Sequence, residues 1–446
     1  MDHQVNRSDK RPSKDRYISI NQKFVLSLLF GVIWLIVSVY LSLPWLRDLG
    51  EILTPVVAFL IIAGIGYVPG LINSFIVMSL LLDKQPSFKV MDPQLPVSII
   101  IACYNEEEAI AQTLKYIKNQ DYEGDIEVIV VDNASKDATA QVAREAGDAF
   151  EMNVKVLFAE TPGKFNALNH ALDFVETRYV MTLDADTLLH KSAVRYVVSR
   201  ILSAPADTCA VAGSVLVRNS RDNLLAKIQE WEYFLGIASI KRMQGMYQGT
   251  LVAQGAFSLY TTDMLKKVGG WPDAIGEDIV LTWKMLKENQ KIYFEPKAVA
   301  FTEVPIQFKH FYRQKSRWAR GMVEGLKAVK PWQQPIRYIR FLTSINLFMP
   351  FLDTAYTFAW IPGLVLAMFG IFWIIGPMTL LVLPLAMLQN YILFVYQRRV
   401  FKDLNLRIRS NRFGFVVFVL FYQLVMSPIS IIGYVQEVFA KERVWK

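Results

Sequence analysis

VSIIIACYNEEEAIAQTLKYI, residues 97–117, decides the fold. Its opening, VSIIIACY (97–104), is a short continuous apolar run of the kind buried on both faces of a parallel sheet. Asn105 then reads as a helix cap, with acids in the first turn and an apolar helical stripe behind them. The same order repeats downstream. IEVIVVD (126–132) passes through a turn at Asn133–Lys136 into a helix from Asp137, and VKVLFAE (154–160) and YVMTLDAD (179–186) are further strands. Strands alternating with helices predict a doubly wound α/β, Rossmann-like sheet. Such sheets bind ligands at the carboxyl ends of their strands. Asn105, Asp132, Asp184 and Asp186 all fall there.

Outside this region the composition changes. The 446 residues are 53% hydrophobic, 13% aromatic and only 20% charged, and the mean hydropathy is +0.27. Those values exclude an ordinary soluble globule, a disordered chain, a collagen and a disulfide scaffold. The two cysteines, Cys103 and Cys209, allow one bridge at most, and Cys103 reads as a small buried hydrophobe. Phe24–Leu43 is an uncharged run long enough to cross a bilayer, and residues 52–82 hold a second, with room for a bend at Pro69-Gly70. Phe341–Tyr396 is long enough for two spans dividing near Phe369–Gly376, and residues 413–440 make another. The basic tail 1–23 and the basic loop 397–412 are expected on the cytoplasmic side. The side of the tail 441–446 is left open. The formal charge of +8 sits beside these apolar segments, so it fits an anionic lipid surface and not nucleic acid. A cytosolic domain over 83–335, with interfacial helices near 225–241 and 307–328, is therefore expected between two N-terminal and about three C-terminal transmembrane helices.

Several candidates for chemistry lie within that domain. Asp184 and Asp186 form a D-x-D whose alternate carboxylates can share one Mg²⁺ or Mn²⁺ with substrate phosphates. Lys164 follows Pro162-Gly163 at the start of a helix, where phosphate binds readily and where a solvated turn lysine is also common. Glu277-Asp278 opens the helical run IVLTWKMLK, as a dipole partner or as a catalytic pair. Gln314, Arg317 and Trp318 share one face of a helix, which also suits an interfacial segment.

Singly these motifs are weak, but their order is specific. ACYNEEE (102–108), GKFNALN (163–169), LDADT (183–187), KIQEWEY (227–233), AQGAFSLY (253–260), EDIVLTWK (277–284) and QKSRWARG (314–321) together resemble the processive family 2 glycosyltransferases. The likeness spans about residues 95–325 and is greatest to bacterial poly-N-acetylglucosamine synthases, beside the cellulose, hyaluronan and chitin synthases. It implies a glycosyltransferase-A-like domain acting on a UDP-sugar, best matched by UDP-N-acetylglucosamine. It further implies a growing β-linked polysaccharide as acceptor, a Mg²⁺ or Mn²⁺ cofactor, and a multi-pass place in a bacterial plasma membrane with its lipids. A small accessory membrane subunit is a possible partner.

By the same resemblance Asn105, Glu106 and Asp132 hold the uridine, while Asp184 and Asp186 hold the diphosphate, Asp186 through the metal. Lys164 is the cation of the nucleotide pocket and Arg317 sits near the diphosphate. Asp278 is the general base, with Glu277 beside it. Gln314 and Trp318 close on the acceptor, whose terminus enters at Gly255 and Ala256. Relatives often carry threonine before the Glu-Asp pair, and Gly276 here implies a weaker cap and a more open acceptor pocket. No FxVTxK-like segment or cyclic-di-GMP-binding domain follows, which makes cellulose less expected. A non-processive transferase making a glycolipid is the alternative, with cellulose or β-glucan and hyaluronan-type synthesis behind it.

Overall fold

The computed structural model describes residues 18–376 and 382–439. The basic tail before residue 18 and the tail from residue 440 therefore lie outside the described residues. The strands are β1 (Val97–Cys103), β2 (Ile126–Asp132), β3 (Val154–Phe158), β4 (Tyr179–Asp184), β5 (Leu188–Leu189), β6 (Thr208–Val217), β7 (Phe257–Thr261) and β8 (Lys291–Thr302). They form one sheet in the order β3-β2-β1-β4-β7-β6-β8-β5. The half β3-β2-β1-β4 is parallel, as the alternating pattern requires. Beyond it the sheet is mixed, not uniformly wound, because β7 runs antiparallel to both β4 and β6.

The continuous apolar run in β1 is explained by packing on both faces. Ile99, Ile101 and Cys103 join one buried cluster with Leu114 and Val197, while Ile100 joins the other with Leu168. Both cysteines are free and buried.

Local readings need three corrections. Asn105 does not cap a helix: it adopts φ 56°, and the helix begins at Ile110. The helix expected from Asp137 starts at Thr139, where Asp137 accepts the Thr139 amide at 3.1 Å. Strand β4 ends at Asp184, so Asp186 lies in the turn beyond.

Among the described residues four helices are long and apolar enough to cross a membrane: Ile20–Leu41, Pro55–Leu81, Arg337–Met368 and Arg412–Val438. The helix Val382–Asp403 lies where the second span of the 341–396 stretch was expected. Two of the four contain a wide helical turn just before a proline, Ala63–Tyr67 ahead of Pro69 and Tyr356–Trp360 ahead of Pro362. A proline lacks the amide and crowds the carbonyl four residues back, and the widened turn accommodates both effects.

The apolar helices share the core of the sheet. Phe24, Phe75 and Leu80 lie in the same buried cluster as Ile100 and Leu168. Tyr247, fully buried, bonds the hydroxyls of Ser79 at 2.8 Å and Ser27 at 3.2 Å. Where the second apolar helix ends, Asp83 receives Arg242 at 2.5 Å, and the Arg242 guanidinium also lies 4.4 Å from the Tyr396 ring. Removing one member of a buried pair strands the other, a loss of about 3–5 kcal/mol. Arg242→Ala is expected to lower the thermal midpoint of the detergent-purified chain. Asp83→Asn combined with Arg242→Met is expected to recover most of the loss.

Candidate active site

A cavity of about 520 Å³ opens beside the carboxyl end of β4. Asp184 and Asp186 reach it from the β4 turn, Glu277 and Asp278 from the first turn of the helix Glu277–Lys287, and Lys164 from the start of the helix Lys164–Leu172. Gln314, Arg317 and Trp318 line it from one face of the helix Phe308–Ala328. Gly255 and Ala256 border it where the chain enters β7. Ten of the thirteen residues singled out in the sequence therefore share one space.

Asn105, Glu106 and Asp132 do not line that cavity. They form a ledge beside it at the ends of β1 and β2. Asp132 accepts the Ser135 amide at 2.9 Å, and Asn105 accepts the Lys136 amide at 2.8 Å. The left-handed backbone at Asn105 lets its amide donate to Ser135 Oγ at 3.0 Å. Burial pushes the Glu106 carboxyl up to about 7, with the charges of Asp186 and Asp184 adding to the shift. The charges of the cavity thus reach Glu106 on the ledge.

Lys164 is central to the cavity. Its Nζ lies 2.5 Å from Asp184 Oδ1 and 3.9 Å from Glu277 Oε1. Burial opposes its charge, but Asp184 and Glu277 outweigh that and hold the ammonium above its ordinary range. A Cβ on Gly255 would come within 3.0 Å of the same Nζ, so the glycine leaves room for the lysine. Glu277 is raised by burial and by Asp278, against the pull of Lys164.

Asp186 is raised to about 6 by burial and by Asp184. Its partners are two hydroxyls, those of Thr187 and Thr302, each at 3.3 Å. Among the described residues no group of three or more His, Cys, Asp or Glu side chains could hold a metal ion. Two carboxylates on an open cavity suit a hard cation whose remaining ligands are water and phosphate oxygens, which is how Mg²⁺ and Mn²⁺ are usually held. The donor set therefore fits the cofactor expected from the sequence.

The glycine at 276 has a different reason from the one expected. A Cβ there would lie 2.5 Å from the Gly321 Cα, so the residue marks a close crossing with the Phe308–Ala328 helix. The crossing is closed, not opened, by the missing side chain. The Gly276 amide is also satisfied, donating to Glu324 at 2.9 Å.

Other contributors were given no role by the sequence reading. Lys315, fully buried, pairs with Glu232 at 2.7 Å, and its ammonium lies 3.7 Å from the centre of the Trp318 ring. Tyr233, Ile237 and Lys241 present a stripe into the cavity from the helical segment that runs from Leu224 to Met246. A lysine four residues beyond an apolar stretch, in FLGIASIK, was the available signal.

Residues 93–321 match the glycosyltransferase-like family 2. A poly-beta-1,6-N-acetyl-D-glucosamine synthase of Staphylococcus epidermidis is 35% identical over 234 residues, 52% of this chain and 55% of the relative. The same-named protein of Staphylococcus aureus (strain COL) is 34% identical over 246 residues, 55% of this chain and 58% of that one. The match thus spans little more than half the length of these relatives. Among solved structures, a mannosyltransferase from Pyrobaculum calidifontis superposes with a TM-score of 0.57 at 20% identity, over 86% of this chain and 98% of the other. That likeness concerns the fold: an α/β glycosyltransferase-A-like domain.

Inserting a side chain at a crossing this tight forces the helices apart, typically at about 1–3 kcal/mol. Gly276→Thr is therefore expected to lower the thermal midpoint and to reduce turnover at least about tenfold, as Glu277 and Asp278 shift away from Arg317.

Proposed function

The chain belongs to the glycosyltransferase-like family 2, and from that premise we propose that it is a membrane-embedded transferase that polymerises UDP-N-acetylglucosamine into a β-linked polysaccharide. The observation that carries this reading is the single cavity that joins a carboxylate pair, a second acid pair at a helix start and the Gln314-x-x-Arg317-Trp318 face. The relatives that match the domain bear the name of poly-beta-1,6-N-acetyl-D-glucosamine synthases, which favours the aminosugar. The four long apolar helices favour a membrane setting.

In this reading the acceptor hydroxyl attacks the anomeric carbon from the face opposite the diphosphate. The bond to UDP breaks as the new β bond forms, and the acceptor proton passes to Asp278. Asp278 is suited to the base because it borders the cavity from the first turn of the helix Glu277–Lys287, a different element from the Asp184–Asp186 turn. Lys164 and Arg317 face the leaving diphosphate, where negative charge develops. Asp184 and Asp186 would hold a divalent cation, which when bound neutralises the departing phosphate oxygens. Asn105, Glu106 and Asp132 would take the uridine on the ledge. Gln314 and Trp318 would hold the acceptor, entering past Gly255 and Ala256. Lys315 fixes Trp318 from behind.

The catalytic domain faces the cytoplasm in this proposal, and the polymer leaves through the bacterial plasma membrane beside it. Polymer found only on the catalytic side of sealed proteoliposomes would overturn that export step.

The primary test is incubation of the detergent-purified full chain with UDP-N-acetylglucosamine, UDP-glucose or UDP-glucuronate, reading UDP release and product size together. High-molecular-weight, hexosaminidase-sensitive product from the first donor is expected. Release of UDP with only a chloroform-soluble sugar would replace the polymerase with a glycolipid transferase. Asp278→Asn is expected to lower turnover by about 10²–10⁴-fold with UDP binding retained. Treatment with EDTA is expected to abolish UDP release, and added Mn²⁺ or Mg²⁺ to restore it.

A further inference from the structure

Lys241 is the buried charge that none of the roles above uses. It lies in the helix Ala238–Met246, is 8% exposed, and borders the cavity alongside Tyr233, Ile237 and Asp278. Its neighbour Arg242 turns away to Asp83. The two other lysines at this site each have a carboxylate: the half-buried Lys164 has Asp184 and the buried Lys315 has Glu232. Among the described residues no ion pair or hydrogen bond engages the Lys241 ammonium. Burial lowers it to about 7, and the one charge that supports it is Asp278, not the Asp184–Asp186 pair. The side chain is buried along its length, and the residue borders the cavity, where a ligand oxygen could meet its ammonium. The cavity wall thus carries an unfilled hydrogen-bond donor on the Asp278 side.

We infer that Lys241 is an acceptor-binding residue, donating a hydrogen bond to a hydroxyl or acetamido oxygen of the terminal acceptor sugar as that sugar docks beside Asp278. The inference rests on the reading of the cavity as a sugar-transfer site. Lys164 differs in being held at 2.5 Å by Asp184, one of the pair assigned to the diphosphate. Because the contact is present before and during transfer, its loss weakens acceptor binding without removing the base, so it appears in KM more than in kcat. Methionine fills the same volume with no donor and relieves the buried charge, so the fold tolerates it.

The test measures initial rates with Lys241→Met against a β-linked N-acetylglucosamine oligosaccharide as added acceptor, with UDP affinity measured in parallel on the same full-length protein. Expected are an acceptor KM raised about 10–100-fold, a UDP Kd within about twofold of the parent, and partial recovery in Lys241→Arg. An unchanged acceptor KM overturns the inference, as does an equal loss of UDP affinity. Should the methionine variant not fold, Lys241→Gln, which keeps a donor, is expected to show an intermediate KM, and a parental KM there overturns the inference too. Absence of any transfer by the parent protein would instead sink the proposed function, so the two failures are distinguishable.

Discussion

One ammonium group organises the cavity. Lys164 touches Asp184 at 2.5 Å and Glu277 at 3.9 Å, and these two acids lie 93 positions apart in the sequence. At an effective dielectric of about 20, unit charges near 4 Å attract by about 4 kcal/mol, which is large enough to offset much of the burial cost. Without that cation, carboxylates delivered by the β4 turn and by the Glu277–Lys287 helix would repel one another. Neighbouring choices follow from it. Gly255 spares the lysine a small displacement, since a Cβ there would come within 3.0 Å of Nζ, and the glycine before Lys164, at φ 135°, turns the chain into the short helix that carries the lysine.

The second constraint is mechanical. The Phe308–Ala328 helix is gripped on two sides by glycines. Gly321 meets Gly276, and Gly433 of the apolar helix Arg412–Val438 sits where a Cβ would fall 2.5 Å from the Ser316 carbonyl oxygen. Ion pairs reinforce the second grip, since Glu437 receives Lys327 at 2.8 Å and Arg320 at 3.5 Å. Gln314, Arg317 and Trp318 are thus presented by a helix with little freedom to slide. A displacement of the apolar helix Arg412–Val438 would be transmitted to the cavity, because the close contacts leave no slack between them.

Much of this was legible in the sequence, for identifiable reasons. The buried run 97–103 announced a two-faced parallel sheet, and acids at strand ends announced the site. What failed was local. Asn105 looks like a cap by residue type, yet the turn after β1 uses its tolerance of positive φ and its amide oxygen to fix the Lys136 turn. Asparagine serves both purposes, and only the tertiary partner chooses between them. The antiparallel β7 was hidden because AFSLYT carries no mark of direction. Gly276 was read from its own neighbourhood as a lost cap, whereas its cause is Gly321, 45 positions downstream. Lys315 was hidden because its carboxylate, Glu232, lies 83 positions away, and the spacing of Lys241 in FLGIASIK fits an interfacial helix as well as a cavity wall.

The charge inventory of the cavity also favours a cation in the proposed reading. Three cationic side chains, Lys164, Lys241 and Arg317, face five carboxylates, those of Asp184, Asp186, Glu277, Asp278 and Glu303. Fully ionised, the wall carries an excess of two negative charges, and a nucleoside diphosphate would bring more of the same sign into a partly desolvated space. Like charges a few ångströms apart at reduced dielectric oppose binding by several kcal/mol. Proton uptake on Asp186 and Glu277 could relieve the excess, and both carboxyls are raised toward neutrality. Protonation, however, would remove the acceptor oxygens that face the phosphates. In the proposed reading Asp184 and Asp186 would hold a divalent ion, which would offset the excess while leaving the carboxylate oxygens ionised. The same inventory fits the roles proposed for the lysines: Lys164, already paired with Asp184, would stay with the diphosphate, and Lys241, which has no ion pair among the described residues, would meet a neutral sugar that supplies oxygen without adding charge.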